Sequence, residues 1–495
     1  MLNKIKKQKN IISLSLMIIL TSFTQIFILL KSSLVAGLFG TSLEMDAYNL
    51  ANSITTFLFG ILAAGIPTVI IPCYVRSEDS KVVDNYLTIV YGLILIMSIF
   101  LSAFRVHIIG VFSNREEMFV NITCEILIIF LFAQFLVSIT GVTDAYFQCE
   151  NKYNIPKVIN LFSQILVVIA LLIFRKLSIY QYTLIIAAGL IFTFSFNIIF
   201  AIKNGWRYKP RFHIKDEKVQ MLLKIFLPII FSSGVYKLTL LVDSLIASRL
   251  DAGMITILSY SNQIAAMVDT VLIGNLLNYA YPKIVKNIKN GVSQIKFWNQ
   301  TILFHNIVLL VIVGFYSIGY EGVSILFRHG SFSEEAAYLV YCGALIYIFG
   351  QQTATIINLI YRYFYSLGDT KSTAQNSLIV SILNIIISVI LVKIIGFFGI
   401  ILGTIISSAI SVLFIIMKFN KKIGLDTSFK NTIKGYLKNI IVAIITIMII
   451  YITKQNVILQ SKLVSILLFG SETVIIYVLF TVILNKKIFE LLKEV

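Results

Sequence analysis

The sequence predicts an all-α integral membrane protein of about 14 transmembrane helices, in two six-helix lobes related by a parallel pseudo-two-fold repeat plus two extra C-terminal helices. Three observations predict it: an apolar composition, apolar runs that recur at membrane-spanning length, and an internal match between the two halves. Of 495 residues, 58% are hydrophobic and 13% charged, and the mean hydropathy is +0.91. A soluble protein of this length must cover its surface with polar groups and cannot be so apolar.

A hydrocarbon layer about 30 Å thick takes roughly 20 helical residues, and a chain crossing it must be helical or a closed barrel. Strand-like alternation is absent. Apolar runs are centred near residues 24, 60, 95, 132, 165, 192, 234, 268, 310, 350, 383, 406, 443 and 475, about one per crossing. The first follows Lys4, Lys6, Lys7 and Lys9 but lacks a small-residue cleavage signature, so it is expected to be a retained helix. Lysine and arginine concentrate in the even-numbered connections and at both ends, which predicts cytoplasmic termini. The net charge of +18 is spread over short loops rather than gathered among aromatics, so no nucleic-acid partner is expected. Cys73, Cys124, Cys149 and Cys342 show no C-x-x-C spacing and read as small hydrophobes.

The basic stretch KNGWRYKPRFHIKDEK, residues 203–218, separates the halves. Tyr48–Phe57 (YNLANSITTF) matches Leu258–Met267 (LSYSNQIAAM), placing Asn52 on Asn262 and, further on, Pro72 on Pro282. Asp144–Lys152 (DAYFQCENK) matches Tyr361–Asp369 (YRYFYSLGD), placing Tyr146-Phe147 on Tyr363-Phe364. Preserved parity makes these parallel repeats about an axis along the membrane normal. The expected division is an N-terminal six-helix lobe (1–202), a basic cytoplasmic linker (203–218), a C-terminal six-helix lobe (219–420) and two additional helices (421–495).

Two such lobes enclose a central cavity, where intramembrane charge is tolerated. The charges too deep in their helices to dismiss are Lys31, Lys237, Asp243 and Asp269. Lys31 lies in ILLKSSLVAGLFG (residues 28–40), roughly 10 Å below the outer helix end at 1.5 Å per residue. Two readings are open: a snorkelling lysine, or a cavity-lining cation clustered with Gln25, Ser32 and Ser33. Isolated lysine, glutamine and asparagine side chains, Asn52, Asn262 and Gln263 among them, suit a phosphate or polar headgroup that is bound and released unchanged. There is no H-E-x-x-H, G-x-S-x-G or Walker loop, and the loops are short, so no enzyme is expected.

The segments LFGTSLEMDAY (38–48), SILFRHGSFS (324–333) and FYSLGDTK (364–371), in this order over almost the whole chain, resemble the MurJ/MviN-type lipid II flippases of the multidrug/oligosaccharidyl-lipid/polysaccharide exporter superfamily. The resemblance implies an inner-membrane flippase, working as a monomer, for an undecaprenyl-diphosphate-linked saccharide lipid. It puts Lys31 on a basic substrate position and Asp46 on the family's acidic one, with Gln25, Phe59 and Gln263 where arginines are usual. It also implies a candidate monovalent-cation site, for Na+ or H+, among Asp243, Asn384, Ser388 and Thr404. A capsule, teichoic or exopolysaccharide lipid, or a drug/cation antiporter, is the alternative cargo class.

Overall fold

The computed structural model describes residues 2–75, 80–113, 115–150, 152–174, 176–289, 294–457 and 459–494. The N-terminal lysines and the Pro72/Pro282 pair lie outside the residues whose side chains are described. Among the described residues every regular element is helical. The chain forms two compact units, Met1–Thr256 and Ile257–Val495.

The first unit contains α1 (Leu2–Phe39), α2 (Leu43–Val75), α3 (Ser80–Ala103), the short α4 (Arg105–Phe112), α5 (Glu117–Cys149), α6 (Asn154–Ile173), α7 (Ile179–Lys203) and α8 (Glu217–Ala247). Helix α2 packs between α5 and α8, α5 also against α7, and α1 against α6. Small side chains make the α2/α8 seam close. Gly234 faces Ile61, Gly60 lies under the Lys237 side chain, and Ser244 donates to Ser53 at 3.0 Å. With no hydrophobic drive between helices in lipid, such close approach and interhelical hydrogen bonding supply the cohesion.

The basic linker is strapped down rather than loose. Asp84, Asn85 and Thr88 near the start of α3 bind it: Lys209 N donates to Asp84, Asn85 exchanges two bonds with His213 at 2.8 and 2.7 Å, and Arg211 N donates to Thr88. Trp206 is buried and donates Nε1–H to Tyr74. Only the outward side chains of the linker carry its charge into solvent.

The second unit begins within α9 (Met254–Val268), which runs through a π-helical turn, Asp269–Ile273, into α10 (Gly274–Lys289). What the sequence presents as one apolar run near residue 268 is therefore interrupted. It continues with α11 (Ile295–Phe327), α12 (Glu334–Ser366), α13 (Thr370–Ile395), α14 (Phe397–Ile423), α15 (Ser428–Asn456), α16 (Lys462–Leu484) and α17 (Lys487–Glu494). Helix α11 packs against α12, α15 and α16. Buried amides join them. Asn439 donates to Ile302 O at 3.1 Å, Asn306 to Asn439 at 3.3 Å, and the Tyr477 hydroxyl to Asn306 O at 2.9 Å. At the far end Lys454 pairs with Glu321 at 2.8 Å.

All fourteen centres read from the sequence fall within helices. Among the described residues, eleven helices are long and apolar enough to cross a membrane, and the protein is a multi-pass membrane protein. The second sequence match falls on equivalent places: α5 and α12 are both 33 residues long, and Tyr146 and Tyr363 each lie three residues from the helix end. Phe147 and Phe364 are both fully buried.

Candidate translocation site

In the first unit α1 carries Gln25 and Lys31, α2 carries Asp46 and Asn52, and α8 carries Lys237 and Asp243. Lys31 is half-buried, and among the described residues no carboxylate lies within ion-pair distance of it. Lys237 crosses to α2, where its Nζ lies 3.8 Å from the place a Cβ on Gly60 would occupy. Any larger residue at 60 would meet the lysine stem. Gln25 and Asn52 are half-buried, Asp243 is buried, and Phe59 is buried at 3% exposure, so position 59 presents no polar group. Asp243 lies six positions after Lys237, which sets the two side chains on different faces of α8.

Asp46, expected among the substrate contacts, is committed elsewhere. It is fully buried. One carboxylate oxygen accepts from Thr256 N at 2.8 Å and Thr256 Oγ1 at 2.7 Å. The other accepts from Gly253 N at 2.7 Å and from Arg115 Nη1 at 2.6 Å. Arg115 reaches on to the carbonyls of Ser248, Leu250 and Asp251, with its guanidinium 4.8 Å from the Phe119 ring centre. Three connections, α1–α2, α4–α5 and α8–α9, are thereby fastened at one end of the unit. Gly253 has φ +92, and a Cβ there would stand 2.8 Å from Thr41 Cβ, so no other residue fits. Sequence reasoning missed Arg115. Its signal was a cation in a connection on the side otherwise poor in lysine and arginine.

In the second unit Asn262 and Gln263 are half-buried on α9. Asp269 opens the π turn, a feature often found at functional positions. Arg362 of α12, another residue the sequence reading passed over, attracts Asp269 electrostatically and lies 5.8 Å from the Tyr281 ring centre. Asn384, Ser388 and Thr404 do come together: Asn384 Nδ2 donates to Thr404 Oγ1 at 2.8 Å, and Ser388 donates to Ile400 O at 3.3 Å. They bridge the α13/α14 seam, where Gly399 and Gly403 let the backbones approach closely. Asp243 belongs to the first unit. Among the described residues no group of three His, Cys, Asp or Glu side chains is placed to hold a metal.

The FYSLGDTK segment is a helix stop and restart. Gly368 has φ +76. Asp369 caps α13 by accepting from Ser372 N at 3.0 Å and Oγ at 2.8 Å, and Lys422 donates to it at 2.5 Å. Partial burial pushes the Asp369 carboxyl up, but the hydrogen bonds from Lys422 and Ser372 outweigh it and hold it at about 2.

The family model described as Lipid II flippase MurJ matches residues 35–471. The chain belongs to the lipid II flippase MurJ family. A probable lipid II flippase MurJ of Rickettsia prowazekii is 24% identical over 405 residues, covering 78% of this chain and 79% of that one. One from Borreliella burgdorferi is 22% identical over 439 residues, covering 84% and 85%. Among solved structures, lipid II flippase MurJ in an inward closed conformation superposes with a TM-score of 0.82 at 22% identity, covering 96% of this chain and 99% of that one. An inward-facing multidrug resistance MATE transporter of the MOP superfamily gives 0.64 at 13% identity, covering 81% and 96%. The fold of this chain is thus like that of both solved proteins.

Proposed function

We propose that this protein is a flippase that carries an undecaprenyl-diphosphate-linked saccharide, lipid II foremost, from the cytoplasmic to the outer leaflet by alternating access, with no covalent chemistry. The observation that carries the reading is the family match over most of the chain. Lys31 supports it, because an ammonium within an apolar helix and with no carboxylate partner among the described residues is suited to a diphosphate that must be bound and released. In this reading the six-helix lobes 1–202 and 219–420 rock about the cavity, both termini are cytoplasmic, and a monomer suffices. Lys237, Asn52, Asn262, Gln263, Gln25 and Asp269 complete the substrate surface. Coupling to a monovalent cation, Na+ or H+, falls to Asp243, with Asn384, Ser388 and Thr404 as the alternative oxygen set.

One observation favours a refinement. Gln25, Phe59 and Gln263 stand where the resemblance leads one to expect arginines, and each charge-assisted bond lost is worth roughly 1.5–3 kcal/mol. The cargo is then distinguished more by its sugars than by its diphosphate. Complementation tests the reading. Expression of this chain should sustain growth of a strain depleted of its own lipid II flippase, and transport should follow Asp243. If stably inserted protein sustains only capsule or exopolysaccharide export, the cargo is another saccharide lipid.

A further inference from the structure

Helix α15 divides lengthwise into two faces. Ser428, Thr432, Gly435, Asn439, Val442, Ala443, Thr446 and Ile450 are buried; Gly435 lies against Ile302, and Asn439 bonds to its carbonyl. At about 100° per residue, the opposite face carries Lys430, Lys434, Leu437, Lys438, Ile441, Ile444, Met448 and Ile452 within one sector of roughly 120°. Every one of these is exposed. The sector changes character along its length: lysine over its first turns, then unbroken apolar side chains.

The helix is 29 residues long, or roughly 43 Å at 1.5 Å per residue, whereas a hydrocarbon layer is about 30 Å thick. With the apolar residues from Ile440 onward in hydrocarbon, Lys430, Lys434 and Lys438 stand in the headgroup layer, spaced about 6 Å apart along the axis. Among the described residues none of the three has a hydrogen bond or an ion pair. The nearest acid in sequence, Asp426, caps the helix start through Ser428. Lys418 and Lys421 of α14 add to the same sign in the preceding sequence.

We propose that this face of α15 is a binding site for anionic phospholipid: the three ammonium groups take phosphodiester headgroups, and Ile441, Ile444 and Met448 take the acyl chains. A ligand with an anion at one end and hydrocarbon at the other matches both halves of the stripe. A basic patch for a soluble acidic partner would not continue into a row of exposed isoleucines. Lysine suits the role because its stem lies along apolar surface while its head stays at the interface.

Native mass spectrometry on the full-length, delipidated protein tests this, with phosphatidylglycerol and phosphatidylcholine as probes. Wild type should retain phosphatidylglycerol in preference, and added salt should weaken the preference. Changing Lys430, Lys434 and Lys438 to Gln should weaken phosphatidylglycerol binding about fivefold for each lysine removed. Arginine at all three positions should preserve it. Glutamine at Lys209, Lys215 and Lys218, exposed lysines of the linker, removes the same charge and should leave it unchanged. Wild-type retention by the α15 glutamine variant, or equal loss in the linker variant, overturns the proposal. Should the triple variant fail to fold, Lys434→Gln alone decides: a fivefold loss supports the site and no loss refutes it.

Discussion

Removing the Asp46 carboxylate should loosen one end of the first unit. In Asp46→Ala the Arg115 guanidinium, only 10% exposed, keeps three backbone acceptors but loses its counter-charge. Gly253 N, Thr256 N and Thr256 Oγ1 lose their shared acceptor at the same time. Breaking a buried pair by removing one partner costs about 3–5 kcal/mol, because the other charge is left uncompensated. For a unit of this size that corresponds to a fall in Tm on the order of 10 °C. Asp46→Asn fares little better, since its amide must present a donor to Gly253 N–H or to Arg115. Thermal unfolding of purified protein in a neutral detergent gives the number, and a double-mutant cycle with Arg115→Ala isolates the pair. The double variant should lose markedly less than the sum of the singles. Additive losses, or an Asp46→Ala Tm within a degree or two of wild type, would refute the reasoning.

Asp369, held at about 2 by Lys422 and Ser372, adds stability that is fully present above the ordinary carboxylate range near 4 and is lost as pH falls through 2. The Tm gap between wild type and Asp369→Asn should therefore be constant from pH 7 to about 4 and close below it; a gap that widens in acid contradicts the assignment. Lys31→Ala should abolish complementation of a flippase-depleted strain while Lys31→Arg retains much of it, and full growth on expressed Lys31→Ala protein would make Lys31 a snorkelling side chain. Asn439→Ala removes the acceptor of the Asn485 amide and one of the two acceptors of the Asn306 amide and should cost about 1–3 kcal/mol in thermal unfolding. Asn439→Leu is expected to be no better, since the donor to Ile302 O is lost as well.

Much of the architecture was legible because lipid imposes one rule on every crossing: an apolar run of fixed length, with its backbone bonds closed internally. Tyr146-Phe147 and Tyr363-Phe364 could be matched because each pair is a large aromatic anchor near the end of a 33-residue helix. The fastening around Asp46 was not legible. Asp46 and Arg115 are 69 positions apart, and each alone resembles an ordinary loop charge. Asp84, Asn85 and Thr88 likewise gave no sign that they hold the linker, because polar residues at a helix start usually face solvent or headgroups. The π turn at Asp269 has no compositional mark: one extra residue in a helical turn changes neither hydropathy nor length. Of the candidate site, Lys31 and Lys237 stood out by charge in apolar surroundings, whereas Arg362, four residues from the end of α12, was passed over.

The most direct test follows lipid II itself. In cells depleted of their own lipid II flippase and expressing this chain, lipid II accessible to an enzyme added outside spheroplasts should recover toward the undepleted level, and should fail to do so with Lys31→Ala. If accessible lipid II stays at the depleted level while stably inserted wild-type chain is present, this protein does not translocate lipid II.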